Sequence, residues 1–339
     1  MKEIRDRGGF RRRWADLIHQ LRVAYADGDV GSIRSLWYQA LAERGLGTWL
    51  RLFNWLYPFQ SLLDVAHELN RRMADQGLAR ASRWLLDERV GRWTSQVRPA
   101  TRTVLASEPV IIYGNHPTLL TPFLVSAHVD RPDHRIVAAS FLEKFLPAFG
   151  QSAIPVELPL NQWWKQLWQG GLGRLVVAYW ATRLRPVLPR PTARQRNQAA
   201  LEQACAHVRQ GGSLLIAPTG WSRSGNRWYP GIGRIVRDMA TEPGERPVWL
   251  VAYHEEGTSD QLVRRLLEGG EPRPGRRGAG REPPPRIRFG EPVPLSALDP
   301  QGGTVNDLVE RLRHRYEEAF LRPRNRANHR ALGRGRGIP

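Results

Sequence analysis

The sequence contains a single cysteine and no long apolar run. Cys205 is the only cysteine in 339 residues, which excludes an intrachain disulfide and a disulfide-stapled scaffold. Because Cys205 falls within a predicted helix, we interpret it as a small packed residue. The most apolar region, residues 49–69, is interrupted by charged, amide and proline residues, so it does not reach the roughly 18 consecutive apolar residues of a spanning helix. Any membrane association is therefore expected at the surface.

The sequence also lacks a secretory signal at its basic start, MKEIRDRGGFRRRW, because no apolar segment or cleavage site follows. We interpret this start as a mature cytoplasmic end and expect a location at the inner face of the membrane. Fifty-one Lys and Arg against 32 Asp and Glu give a formal charge of +19. This charge attracts anionic membranes, nucleic acids or phosphorylated substrates, and does not choose among them.

The spacing of apolar residues predicts three parts of the chain. Residues 1–98 are predicted to form a helical, aromatic-rich region, residues 99–321 an α/β domain, and residues 322–339 a flexible basic tail. In the middle part, short apolar runs alternate with helical segments, which favours a mixed sheet flanked by helices. The strand candidates are 110–113, 136–139, 214–217, 248–252 and 287–289, and a further short run lies at 154–156. The helix candidates between them are 117–128, 193–209 and 231–240.

Aromatic side chains are concentrated in two segments, residues 37–59 and 158–191, and both segments also carry arginines. Such side chains lie at a lipid interface when the nearby arginines meet phosphate head groups. They equally pack against a main domain or cover it as a helical hairpin. For the second segment an acyl-chain groove is a further interpretation, and these alternatives remain open.

The segment VIIYGNHPTLLTP carries the main catalytic candidate. An apolar strand ends at Gly114-Asn115-His116, and Pro117 is suited to the first turn of a following helix. The positive end of a helix disfavours imidazolium, so we expect a neutral His116 that can accept a hydroxyl proton. The alternative is a histidine in an ordinary turn without a catalytic role. The neighbouring segments have to decide between these two interpretations.

Two further segments supply substrate-binding candidates. In ASFLEKFLPAFGQSAIPVELP, Lys144 is a candidate contact for an anionic substrate, or else a solvated lysine on a helix. In GGSLLIAPTGWSRSGNRWYPGIG, a strand opens into a small polar loop that contains Thr219, Gly220, Arg223 and Arg227. A strand, a polar loop and a helix N-terminus form a plausible phosphate cradle, although a glycine-rich surface turn has the same composition.

Taken in order over residues 110–295, these segments resemble the glycerolipid acyltransferase superfamily of glycerol-3-phosphate and 1-acylglycerol-3-phosphate acyltransferases. That family typically carries NH-x4-D, a Pro-x-x-Gly segment before a short strand, and a Pro-Glu-Gly-Thr-Arg-Ser block. RPVWLVAYH and RIRFGEPVPL are similar to its later strand-like blocks. The resemblance implies an α/β acyltransferase domain in which the first and third blocks converge.

The chain departs from that pattern at two positions. Thr121 stands where the family has Asp, and Thr219 where it usually has Glu, while the arginine of the third block is displaced by one position to Arg223. Losing the orienting carboxylate in a comparable catalytic triad lowers turnover by about 10⁴-fold. Thr121 can orient the His116 ring by a hydrogen bond but cannot supply a full negative charge.

The resemblance implies transfer of a fatty acyl group from an acyl thioester, acyl-CoA or acyl carrier protein, to a hydroxyl of a glycerol-phosphate-like or related lipid acceptor. His116 is then the general base, Asn115 beside it is a substrate-binding residue, and Arg223 and Arg227 hold the acceptor phosphate. No other cofactor and no metal is expected. A lipid-binding protein of the same fold without catalysis is the main alternative; nucleic-acid binding rests only on charge and tryptophan content, and is not expected.

Overall fold

The computed structural model describes residues 2–158, 163–222, 227–242, 244–267 and 284–321. Five helices open the chain: α1 Lys2–Asp27, α2 Val30–Ala42, α3 Leu46–Leu56, α4 Phe59–Gln76 and α5 Leu78–Trp84. A π-helical turn, Leu85–Val90, extends α5. The later helices are α6 Pro99–Ser107, α7 Thr121–Ser126, α8 Leu142–Phe145, α9 Pro147–Gly150, α10 Trp163–Leu184, α11 Arg190–Arg209, α12 Gly231–Thr241, α13 Asp260–Leu267 and α14 Val305–Phe320.

The described strands form one mixed eight-stranded sheet. They are β1 Thr94–Gln96, β2 Val110–Gly114, β3 His134–Ala139, β4 Ala153–Val156, β5 Ser213–Ile216, β6 Trp249–Glu256, β7 Arg286–Phe289 and β8 Val293–Pro294. Along the main path the order is β1-β7-β6-β2-β5-β3-β4, and β8 pairs with β6. The five strands from β6 to β4 are parallel, whereas β7 and β8 run antiparallel to β6. The carboxyl ends of the parallel strands therefore share one edge of the sheet.

Side chains that alternate along β2 separate two apolar layers. Val110 and Ile112 join a core that also contains residues of the N-terminal helices, including Leu21 and Leu63. On the opposite face, Ile111 and Tyr113 join a core that includes side chains of α11, α12 and α14. Because side chains in a strand point alternately to the two faces, a strand buried on both sides reads as a continuous apolar run. The VIIY sequence of β2 has this property.

The α/β class with a mixed, helix-flanked sheet follows the sequence expectation. Strands lie at all five predicted positions and β4 covers the 154–156 run, although β6 continues four residues beyond its predicted end at 252. The proposed basic tail, residues 322–339, and most of the predicted surface loop, residues 271–286, lie outside the described residues. Among the described helices, none has the length and apolar character needed to cross a membrane.

Candidate functional site at the carboxyl ends of β2, β5 and β6

The carboxyl end of β2 can only be a glycine. In the parallel register Gly114 pairs with Tyr253 of β6. A Cβ atom at Gly114 would lie 2.1 Å from the Tyr253 carbonyl oxygen and 2.9 Å from its ring. Because glycine has no Cβ atom, β2 can pair with β6 as far as Gly114, directly before Asn115 and His116.

Asn115 holds the ends of β2 and β6 together by two hydrogen bonds. Its side-chain Nδ2 donates to the Glu255 carbonyl oxygen at 2.8 Å, and its Oδ1 accepts from the Glu255 backbone N–H at 2.8 Å. One amide side chain thus replaces the backbone pairing that would otherwise continue past Gly114. The sequence-based role of Asn115 was substrate binding; in the structure its side chain is occupied by Glu255.

The helix after His116 begins later than predicted. Helix α7 starts at Thr121 and contains six residues, with Pro122 rather than Pro117 in its first turn. Residues 118–120 form a bend and a turn, in which the Thr118 hydroxyl accepts from the Leu120 N–H at 3.3 Å. This local side-chain hydrogen bond competes with helical pairing. The prediction that His116 lies at a helix N-terminus is therefore wrong.

His116 has a strongly lowered pKa for a different reason. Burial lowers the pKa of the imidazole to about 4, the positive Arg174 lowers it further, and the backbone of Thr118 partly offsets both effects. The Nδ1 atom of His116 is buried without a hydrogen-bond partner among the described residues. The ring is therefore neutral near pH 7, as a general base requires, and burial rather than the helix dipole is the cause.

The loop after β5 contacts His116 directly. The Ser222 N–H donates to the His116 carbonyl oxygen at 3.0 Å. The Trp221 ring lies nearly parallel to the imidazole, with ring centroids 6.2 Å apart and an interplanar angle of 24°. The first and third segments identified in the sequence therefore meet at His116.

A buried carboxyl group lies beside the same segment. Glu255 is 2% exposed, and its Oε1 accepts a hydrogen bond from the Thr118 hydroxyl at 3.3 Å. Its Oε2 is buried without a partner among the described residues. Burial raises the pKa of Glu255 to about 7, although the hydroxyls of Thr121, Thr258 and Thr118 favour the charged form. A carboxyl group so placed changes its charge near physiological pH.

Thr121 is buried and faces the same carboxyl group. Its hydroxyl donates to the Thr118 carbonyl oxygen at 3.0 Å, and its proximity to Glu255 lowers the pKa of that carboxyl. The described hydrogen bonds of Thr121 do not include the His116 ring. Thr121 is therefore next to the catalytic candidate, but its described partners are Thr118 and Glu255.

The remaining third-segment candidates occupy different environments. Thr219 is buried, and its hydroxyl donates to the carbonyl oxygen of Gly220, which has a φ of +55°. Arg227 is exposed, with its guanidinium carbon 5.2 Å from the centroid of the Tyr229 ring. Arg223 lies outside the described residues. Of the two predicted phosphate-binding arginines, Arg227 can therefore be placed on the surface of this loop.

Lys144 lies on a separate element. It is exposed on the four-residue helix α8, which follows β3, and β3 is separated from β2 by β5. Its described contacts do not include His116. A different cation, Arg174 of α10, is close enough to lower the pKa of His116, and its own pKa is lowered by burial.

Three residues of the site were not assigned to it from the sequence: Arg174, Trp221 and Glu255. Arg174 lies in the second aromatic-rich segment, residues 158–191, and Trp221 lies in the third motif segment. Glu255 follows directly after the VWLVAYH run, so an acidic residue at the end of a buried strand was the available signal. Within the described residues, no three His, Cys, Asp or Glu side chains gather as a metal site would require.

Comparison with known proteins adds no identification to this geometry. No protein-family model matches the chain, and no curated protein matches its sequence.

Proposed function

We propose that the protein is an O-acyltransferase that moves a fatty acyl group from an acyl thioester to a hydroxyl of a glycerol-phosphate-like or related lipid acceptor. The observation that carries the proposal is the meeting of two motif segments at a neutral histidine. His116 ends the β2 segment, and its carbonyl oxygen accepts from Ser222 of the loop after β5. The order of these segments in the sequence is the basis of the acyltransferase assignment.

In this mechanism His116 acts as the general base. The neutral imidazole takes the proton of the acceptor hydroxyl while the hydroxyl oxygen attacks the thioester carbonyl carbon. The resulting tetrahedral intermediate expels the thiolate as the carbon–sulfur bond breaks, and the imidazolium returns its proton to that sulfur. The products are an ester and a free thiol, and no covalent acyl-enzyme forms.

Two cationic side chains support an anionic acceptor or donor at this edge. Both arginines interact with Tyr229. The guanidinium group of Arg227 lies over the Tyr229 ring, and Arg174 interacts with Tyr229 electrostatically. Arg174 also acts electrostatically on His116. Guanidinium groups bind phosphate by paired, charge-assisted hydrogen bonds. We assign them to the acceptor phosphate or to the phosphates of acyl-CoA.

An exposed aromatic face supports a peripheral membrane location, which we assign to the inner leaflet. Trp49, Leu52 and Trp55 of α3 are 62%, 48% and 69% exposed, and the same helix carries the exposed Arg51. Trp168 of α10 is 84% exposed. Tryptophan suits the boundary between hydrocarbon and head groups, and arginine suits anionic lipids.

The face and the site are linked through α10. A Cβ atom built at Gly173 of α10 would lie 3.4 Å from the hydroxyl of Tyr57, the residue that follows α3. Arg174, the next residue, acts on His116. The backbone of α10 is kinked at Gly171, which has a φ of 71°, and the part after the kink places Gly173 near Tyr57 and Arg174 near His116. This arrangement suits an acceptor drawn from a membrane.

Labelled acyl transfer tests the proposal. Full-length protein is mixed with acyl-CoA or acyl carrier protein and with glycerol 3-phosphate, lysophosphatidate and other hydroxylated lipids on vesicles. We expect ester formation by the native chain and loss of at least about 100-fold in His116→Ala, as for removal of a general base. His314→Ala, on the exposed face of α14, is the matched control. Unchanged turnover in His116→Ala would exclude this mechanism.

A second candidate is a lipid-binding protein of the same fold without catalysis. It is favoured by the hydroxyl side chains at Thr121 and Thr219, where the resembling family carries carboxylates. Vesicle binding by the native chain without acyl transfer to any acceptor would favour this candidate. Robust transfer would exclude it.

A further inference from the structure

Two buried polar atoms without partners lie on neighbouring elements of the candidate site. They are Nδ1 of His116, just after β2, and Oε2 of Glu255, on β6. Burial of a polar atom without a hydrogen bond costs about 1–3 kcal/mol, so each unpaired buried group calls for an explanation, a catalytic role being one. An imidazole N–H is a donor and a carboxylate oxygen an acceptor, so these two atoms are chemically complementary. They are not hydrogen-bonded to each other in the structure, and a change in side-chain rotamers has to bring them together.

The backbone around His116 is tied to Glu255 on both sides. Asn115, which precedes the histidine, makes two hydrogen bonds with the Glu255 backbone. Thr118, two residues after the histidine, donates its hydroxyl to the Glu255 carboxyl group. The parallel register of β2 with β6 ends at Gly114 and Tyr253, so His116 and Glu255 each lie two residues beyond the last paired position. These contacts fix the carboxyl group next to the histidine segment.

The carboxyl group of Glu255 also faces position 121. The Thr121 hydroxyl contributes to the electrostatic environment of Glu255 and donates to the Thr118 carbonyl oxygen. An aspartate at position 121 would therefore share a buried pocket with a second carboxyl group. Two carboxylates in one such pocket repel each other, and one becomes protonated. Thr121 adds no second negative charge to the pocket that holds Glu255, so a threonine is compatible with that buried carboxyl group.

A histidine that accepts a proton gains from a carboxylate on its other ring nitrogen. The carboxylate fixes the tautomer and the orientation of the ring, and it stabilises the imidazolium that forms during the reaction. The carboxylate can come from any element that reaches the ring, because such arrangements are defined by geometry and not by sequence position.

We propose that Glu255 of β6 is the positioning carboxylate of His116, in place of the aspartate expected at Thr121. This inference rests on the proposed function, because it assigns Glu255 a role in proton transfer by His116. In the reacting complex the Glu255 carboxylate accepts the Nδ1–H of His116, a hydrogen bond that is not formed in the structure. Nε2 takes the proton of the acceptor hydroxyl and later returns it to the leaving thiolate.

Among the described residues of this site, Glu255 and His116 change charge near pH 4–7, and the titratable groups around them do not. Tyr253 and Tyr316 interact with Glu255, and burial raises the pKa of both phenols far above that range. Arg174 of α10 faces His116 and remains positive. If the carboxylate form is required, turnover rises as pH increases through about 7, the pKa of Glu255.

Three variants of the full-length protein test the assignment by moving the carboxylate from position 255 to position 121. We expect Glu255→Gln to lower kcat at least about 100-fold and to abolish the step in kcat near pH 7. Thr121→Asp should also lower kcat, because it adds a second buried carboxylate. The double variant Thr121→Asp with Glu255→Gln should recover at least about tenfold over Glu255→Gln alone, because a single carboxylate is restored to the pocket.

A nuclear magnetic resonance titration of His116, independent of any substrate, separates this inference from the proposed function. In the native chain the ring-nitrogen shifts of His116 should show an inflection near pH 7 as Glu255 ionises, and Glu255→Gln should remove it. Glu255→Asp, which keeps the charge, should retain it and is the reserve variant if the amide prevents folding. Absence of the native inflection, or native kcat in Glu255→Gln, would overturn the inference, whereas absence of acyl transfer with the inflection present would overturn only the proposed function.

Discussion

The indole Nε1 of Trp221 donates a hydrogen bond to the carbonyl oxygen of Pro117 at 3.2 Å. This bond anchors the ring that lies beside His116. We expect Trp221→Phe, which keeps a ring but loses the donor, to lower acyl transfer about threefold. Trp221→Ala, which also removes the ring contact, should lower it about tenfold, because an aromatic contact is worth about 0.5–1.5 kcal/mol. The measurement is kcat at a fixed pH above 7, and equal rates for all three proteins would contradict a positioning role.

Two asparagines that bind backbone in the same way provide a matched pair for the site. Asn115 accepts from and donates to the Glu255 backbone, and Asn197 does the same with the backbone of Glu157. Replacing either by Ala should lower the free energy of unfolding by about 2 kcal/mol, through two lost hydrogen bonds. Only Asn115→Ala should alter the His116 ring signals. Urea unfolding and the His116 spectrum check this together, and a changed spectrum in Asn197→Ala would contradict the local assignment.

The raised pKa of Glu255 predicts a stability change with a definite sign. Its folded-state value of about 7 lies above the ordinary 4.5, so the carboxyl group destabilises the fold increasingly between those pH values and fully above them. Glu255→Gln should therefore gain about 3 kcal/mol over the native chain at pH 8 relative to pH 4.5.

Glu68→Gln is the control for that measurement. Arg71 and Arg72 lower the pKa of Glu68 to about 2, so the stabilisation it contributes is lost as pH falls from the ordinary 4.5 to about 2. The difference between Glu68→Gln and the native chain should accordingly stay constant from pH 5 to pH 8. Urea unfolding at several pH values measures both variants, and a constant difference for Glu255→Gln would contradict its buried, proton-binding state.

The exposed face of α3 predicts binding to anionic vesicles. Trp49→Ala combined with Leu52→Ala should weaken the partition coefficient at least about tenfold, because each side chain loses apolar burial at about 25 cal/mol per Å². Leu321→Ala, an exposed apolar residue after α14, should leave binding unchanged. Sedimentation with vesicles containing phosphatidylglycerol provides the readout, with neutral vesicles showing the contribution of charge. Equal partitioning of the double variant and the native chain would show that α3 does not contact the bilayer.

The sequence predicts the strands well because burial on both faces produces apolar runs. The VIIY run of β2 and the strand before Thr219 lie where the pattern indicates, and so does His116 at the carboxyl end of β2. The start of α7 was not predictable, because Pro117 and Pro122 carry the same local signal for a first turn. The Thr118 side chain, which bonds both Leu120 and Glu255, decides in favour of Pro122.

The charge at the site was also beyond local sequence reasoning. The sequence shows that position 121 lacks the expected aspartate. It does not show that the Glu255 carboxyl group lies near this position, because that follows from the pairing of β6 with β2 and from the extension of β6 to Glu256. The lowered pKa of His116 was expected from a helix dipole but results from burial and from Arg174, which lies on a distant helix. Long-range packing sets both quantities.

The hydrogen bonds between Asn115 and Glu255 join positions 140 residues apart in the sequence. The hydrogen bond from Trp221 to Pro117 joins positions 104 residues apart. Contacts of such sequence separation form slowly, because the chain loses loop entropy before it gains their energy. During refolding, secondary structure should therefore return before the site does. The signals of His116 become a reporter of the last stage of sheet assembly, when the segment that carries β6 closes against β2.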